Sequence, residues 1–150
     1  MIFQMQEGYL ILGEGDWQDR SVNMLAANHL PVRGANIVIT REPLPAGIGY
    51  ADYLINQKSL LAKELAKYTL LAENKETLHE QQAHFLELSW ENQGTTMRQM
   101  IMVVDLGGNV LNITASMLGE PDEMSRTELL AAMKSFKPGP APRAKEGAAK

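Results

Sequence analysis

The chain has 150 residues, 45% of them hydrophobic and 21% charged, with no cysteine, nine methionines and a formal charge of −4. That length suits one domain around one core, and the missing cysteines exclude disulfides, thiol nucleophiles and cysteine-based zinc or iron–sulfur sites. The acidic balance argues against a nucleic-acid partner, and no stretch approaches the ~20 apolar residues of a bilayer span, so a soluble, cytoplasmic protein without stable membrane insertion is expected.

In chain order, residues 9–12 form a short strand ended by Gly13-Glu14-Gly15. Residues 20–26 set Ser21 and Asn23 against Val22 and Met24, the alternation of a half-buried strand. Residues 35–41 are β-branched and strand-like, with Pro43 and Pro45 expected to stop them. A helix is predicted over 50–66, where Tyr53, Leu54, Gln57, Leu61 and Leu65 recur at helical spacing. Strands are expected at 68–73 and 82–91, separated by Asn74-Lys75-Glu76. Asn92-Gln93-Gly94 reads as a turn into a long strand over 95–106, and Gly107-Gly108 is a hairpin signal returning the chain through 110–117. A C-terminal helix follows over 120–136, with early acidic residues that suit its dipole and Pro138 just beyond it. The fold class is α+β, a single domain with an antiparallel sheet, a central helix and a C-terminal helix.

Residues 1–137 are read as the domain and 138–150 as a flexible Pro/Ala/Lys tail, too poor in large apolar side chains to pack. Arg143, Lys145 and Lys150 against Glu146 give that tail +2, so the domain itself carries −6 of the total −4.

Catalytic chemistry is hard to find. His79 and His84 are five apart, whereas a zinc-binding helix needs four, and an odd separation in a strand puts the rings on opposite faces. His29 precedes Leu30-Pro31 in a loop, and Gly13-Glu14-Gly15 and Gly47-Ile48-Gly49 lack the third glycine of a phosphate loop. Asp16, Asp19, Asp52 and Asp105 sit at turns and helix starts, where capping explains them. The expectation is a non-enzymatic protein with no cofactor and no metal site.

What stands out is strands that are apolar on both faces. Over 95–106, Met97, Gln99, Ile101 and Val103 share one face, and Arg98, Met100, Met102 and Val104 share the other. A sheet covered on one side needs only one apolar face. Either a helix or a second copy covers the other face, or it is a concave groove for an apolar ligand. Methionine would suit such a groove by its flexibility, and Asn36, Thr40, Gln57 and Gln99 could hydrogen-bond a helix held in it.

Gly8, the block Asp16-Trp17-Gln18-Asp19-Arg20-Ser21 and the Val22-Asn23-Met24 that follows it resemble the opening of the DcrB-like proteins that act as Eag chaperones of type VI secretion. Ala51-Asp52-Tyr53-Leu54-Ile55-Asn56-Gln57, then Leu88-Ser89-Trp90 with Gly94 and Gln99, continue that resemblance over about residues 5–136. The resemblance implies a DcrB-like or Mog1-like fold with an apolar concave face, a cytoplasmic homodimer, and binding of the N-terminal transmembrane segments of a PAAR-containing, Rhs-type effector. Shielding would last until the effector is loaded on the secretion spike. Position by position, the resemblance implies a groove of Val22 and Met24, of Asn36, Val38 and Thr40, of Gln57, Leu61 and Leu65, and of Met97, Gln99 and Ile101. The alternative is a non-enzymatic interaction module of the same fold that contacts a folded partner through its acidic surface.

Overall fold

A computed structural model describes residues 1–140; the expected tail falls outside them from residue 141 onward. Among the described residues the elements are β1 (Ile2–Met5), β2 (Gly8–Ile11), β3 (Asn23–Ala26), β4 (Asn36–Pro43), α1 (Tyr50–Glu64), β5 (Thr69–Leu78), β6 (Gln81–Asn92), β7 (Thr95–Asp105), β8 (Asn109–Leu118) and α2 (Glu123–Lys134). β1 and β2 pair only with each other, while the rest form a six-stranded antiparallel sheet in the order β3-β4-β8-β7-β6-β5. The α+β class, the sheet and both helices are as expected, and among the described residues no helix is long and apolar enough to cross a membrane.

The strands from β5 to β8 are a meander built on tight turns. His79 and Glu80 close the first hairpin with φ of 47° and 71°, and Gln93 and Gly94 close the second with 53° and 86°. Left-handed backbone at both turn positions matches the natural twist of the flanking strands. This moves the expected turn: Asn74-Lys75-Glu76 runs inside β5 rather than ending it. β1 was not anticipated, and β3 is shorter than its alternation implied, so Val22 precedes it. β4 continues through Pro43, which pairs with Asn109. Proline is tolerated there because β3 reaches only as far as Ile39, leaving no neighbour on that side to need an N–H.

One face of the sheet is covered over its middle strands. Ala83 and Phe85 of β6, Met100, Met102 and Val104 of β7, and Leu111, Ile113, Ala115 and Met117 of β8 pack with Leu129 and Met133 of α2. α2 starts at Asp122, whose side chain accepts the Ser125 N–H at 3.0 Å. It is held in place by the buried Glu87, which takes two bonds from Arg126, at 2.9 Å from Nε and 2.6 Å from Nη2. Arg98 donates to the same carboxylate at 3.2 Å.

The opposite face is covered in part, and the topology explains why. β4 and β5 lie four strand spacings apart, roughly 19 Å, so the segment joining them must cross the sheet. α1, with 15 residues and about 22 Å of length, makes that crossing. Its entry is tied by the Leu44 N–H to the Gly108 carbonyl, and its exit by the Glu91 N–H to the Ala66 carbonyl, both 2.9 Å. Tyr50, Tyr53 and Leu54 pack with Val103, Val110 and Ile101.

Four methionines (Met100, Met102, Met117 and Met133) are fully buried beneath α2. Of the three methionines in the long strand, only Met97 points to the opposite face, the division its alternation gave. Met100 and Met102 fill the covered face because their even positions alternate onto it.

Bonds from Arg126, then its charge, and a weaker bond from Arg98 hold the Glu87 carboxyl below the usual carboxylate range. A depressed carboxyl stabilises the fold above about pH 4.5 and loses that contribution as pH falls through its lowered value. Arg126→Leu is expected to cost about 3 kcal/mol in urea unfolding at pH 7. Its stability should also fall less steeply than the wild type's when unfolding is followed below about pH 4.5.

Candidate functional site

The second face is laid out by strand register, fully buried at Leu86 and Leu88 and open at Met24. Met24, Val38, Thr114, Ile101 and Leu86 lie side by side across five strands. The next row is Ala26, Asn36, Ser116, Gln99 and Leu88, and beyond it Leu118, Met97 and Trp90. On the other side Thr40, Asn112, Val103 and His84 form a row that runs under α1. Gln57 and Leu61 of α1 meet this floor in a cleft of about 250 Å³, with Thr40, Tyr53, Ile101 and Thr114 among its walls.

Of the residues implied for the groove, Met24, Asn36, Val38, Thr40, Met97, Gln99 and Ile101 share this face, and Gln57 and Leu61 overhang it. Val22 lies in the extended chain just ahead of β3 and is exposed. Leu65 is half-buried at the C-cap of α1, where its N–H bonds back to the Leu61 carbonyl at 3.1 Å, and it does not line the cleft.

The polar groups of the face are partly engaged already. Gln99 accepts from the Trp90 indole N–H at 2.9 Å and donates to the Ser116 hydroxyl at 2.9 Å. The Asn36 amide donates to the Gly34 carbonyl at 3.0 Å. Under α1, Tyr53 donates its hydroxyl proton to Glu42 and accepts from Asn112 at 2.9 Å, while Tyr50 donates to the Val103 carbonyl at 2.7 Å. Burial pushes both phenols up to about 12, with the Glu42 bond adding to it at Tyr53, so both stay protonated donors at neutral pH. At the β5 margin Glu73 accepts from Lys58 at 2.5 Å and from His84 at 2.6 Å, and these bonds, Lys58 first, hold its carboxyl below the usual range. That ion pair fastens α1 to the meander.

His79 sits exposed on the first hairpin turn while His84 lies in β6, and among the described residues no three His, Asp or Glu side chains gather as a metal-binding group. The chemistry of the face is that of a binding surface: an apolar floor with a central polar stripe of Asn112, Thr114 and Ser116 on β8. Sequence reasoning missed this stripe and the contributions of Leu86, Leu88 and Trp90. The signal was present in the alternation of Leu111, Ile113, Ala115 and Met117 with Asn112, Thr114 and Ser116. Only the pairing of β8 between β4 and β7 shows that its polar side forms the centre of the groove.

The fold is a six-stranded antiparallel sheet with α2 packed on one face and α1 crossing part of the other. The family model for DcrB matches residues 7–135, and the chain belongs to the DcrB family. The crystal structure of PA94 from Pseudomonas aeruginosa, a protein of unknown function, is similar with a TM-score of 0.77 at 22% identity, covering 94% of this chain and 98% of that one. The solution structure of the cyanobacterial PsbP (CyanoP) from Synechocystis sp. PCC 6803 is similar with a TM-score of 0.52 at 11% identity, covering 85% and 98%. Both likenesses concern the fold. No curated protein matches the chain. The DcrB family and its fold are not known as enzymes.

Gln99→Leu breaks both bonds of the Trp90–Gln99–Ser116 chain and leaves the buried Ser116 hydroxyl without its donor. Urea unfolding is expected to show a loss of about 1–3 kcal/mol.

Proposed function

We propose that this protein is an Eag-type chaperone of type VI secretion, a cytoplasmic protein that shields the N-terminal transmembrane segments of a PAAR-containing, Rhs-type effector before loading on the secretion spike. The observation that carries this reading is the half-open floor: Met24, Val38 and Ile101 in one row, interrupted by Thr114, under an overhang of Gln57 and Leu61, with Leu86 buried at its far end. The four strands from β3 to β7 span roughly 14 Å, wider than an α-helix, so a helix fits on the floor.

The energetics favour a partial cradle. A ~20-residue apolar helix left in water exposes over 1,000 Å², about 25 kcal/mol of drive toward aggregation. Covering one side of it removes a large share of that drive while leaving few deep anchors to undo on release. Polar groups of the β8 stripe suit the small polar residues of membrane helices, which find few other partners. A helix of that length is about 30 Å long, more than one floor covers, and a homodimer would set two floors along it.

The second reading is a module binding a folded partner through charge, favoured by the −6 carried by residues 1–137. Such binding would weaken strongly with salt and ignore the groove. Co-expression with an effector's N-terminal region separates the two readings. Wild type is expected to protect that region from degradation, and Val38→Asp or Leu61→Asp to lose the protection while circular dichroism and thermal melting stay near wild type. An unprotected region with wild type, or full protection by both groove variants, would overturn the chaperone reading.

A further inference from the structure

The two helices are held very differently. α2 buries Ser125, Leu129 and Met133, whereas of the fifteen residues of α1 only Tyr53 is buried, and Ile55 and Leu60 stand exposed. The hold on α1 is also uneven along its length. Tyr50, Tyr53 and Leu54 pack with Val103, Val110 and Ile101, and both phenols are hydrogen-bonded, so the start of the helix is anchored.

Beyond Leu54 the hold thins. Clefts of about 250 and 350 Å³ flank the helix, the first walled by Gln57 and Leu61 and the second by Ala51, Leu54 and His84. Between them Lys58 Nζ and His84 Nε2 meet the same oxygen of Glu73, at 2.5 and 2.6 Å, so one carboxylate clasps α1 to β5 and β6. The remaining ties lie at the exit, where the Glu91 N–H bonds to the Ala66 carbonyl and the exposed Lys67 sits 3.3 Å from the Glu91 carboxylate. An element with so few buried contacts opens well below the free energy of global unfolding.

What lies beneath gives the opening a use. Leu86 and Leu88 of β6 continue the two rows of the floor but are fully buried, Leu86 in the cleft under Gln57 and Leu61. We infer that the second half of α1, from Gln57 to the exit at Ala66, is a lid that lifts to extend the floor onto these leucines when the client helix enters. Glu73 is its latch. Lifting adds a fifth strand to the floor, and the apolar surface of the client replaces the contacts that Leu61 gives up. The inference deepens the chaperone reading and rests on it for the client. Its test uses the chain alone, so a rigid α1 and a failed protection assay are separate results.

Hydrogen exchange of the full chain, read by mass spectrometry, is expected to show the amides of residues 57–66 exchanging faster than those of α2. Glu73→Ala should speed them a further three- to tenfold or so, the loss of a half-exposed hydrogen bond between charged groups, and leave α2 unchanged. Lys58→Ala should do the same even though alanine is the better helix former, while Lys58→Arg, which still reaches Glu73, should stay near wild type. A thiol at Leu86→Cys is unique in a chain without cysteine, and its reaction with a soluble disulfide reagent should quicken by a similar factor when Lys58→Ala is added. Equal exchange in α1 and α2, exchange unmoved by both alanine variants, a Lys58→Arg protein as fast as Lys58→Ala, or a thiol indifferent to the latch would each overturn the lid.

Discussion

A sheet whose middle strands are apolar on both faces needs cover on both, and this chain has one helix for each. α2 meets the need over β6, β7 and β8, where the meander presents apolar side chains and one buried carboxylate. Glu87 gives Arg126 a bidentate anchor, and that fixes where along the patch the helix sits. α1 has a different duty. It must carry the chain from the second strand of the sheet to the last, so its path is set by the distance to be crossed rather than by the surface to be hidden. It spends Tyr50, Tyr53 and Leu54 on the end nearest the β7–β8 turn and leaves the opposite corner bare. The groove is the remainder of that geometry.

The face left open is not simply apolar. β8 lays Asn112, Thr114 and Ser116 down its centre, with Val38 and Met24 on one side and Ile101 and Leu86 on the other. The compliant residues lie elsewhere: Met100, Met102, Met117 and Met133 form a polarizable layer beneath the sheet. Adaptability here resides under the floor, while the floor itself is made mainly of β-branched and hydrogen-bonded side chains with fewer rotamers to settle.

Much of this was legible in the chain. Period-two alternation placed β4, β7 and β8, and helical spacing placed α1 with Gln57 and Leu61 on one side. Parity put the implied groove positions of β4 on one face of that strand, and those of β7 on one face of theirs. Three things were hidden. The turn at His79–Glu80 uses left-handed backbone at two residues that do not advertise it, whereas Asn74-Lys75-Glu76 looks like a turn and is not one. β1 is four residues long and finds its partner within the first eleven positions, too short a pattern for periodicity to register. The polar stripe of β8 reads as an ordinary solvent face until the strand is known to lie between β4 and β7. Which strands become neighbours is a long-range property, and alternation along a strand carries no information about it.

The seam between β4 and β8 runs through the middle of the groove and joins the most distant parts of the sheet, since Asn36 pairs with Ser116 eighty positions later. The meander from β5 to β8 closes through local hairpins, but β3 and β4 gain their place only when β8 exists to receive them. During synthesis the floor therefore cannot form before β8 does. Until residue 118 has left the ribosome, the apolar side chains of β4 have no neighbour strand on the β8 side, and the half of the cradle they form is not yet there to hold anything.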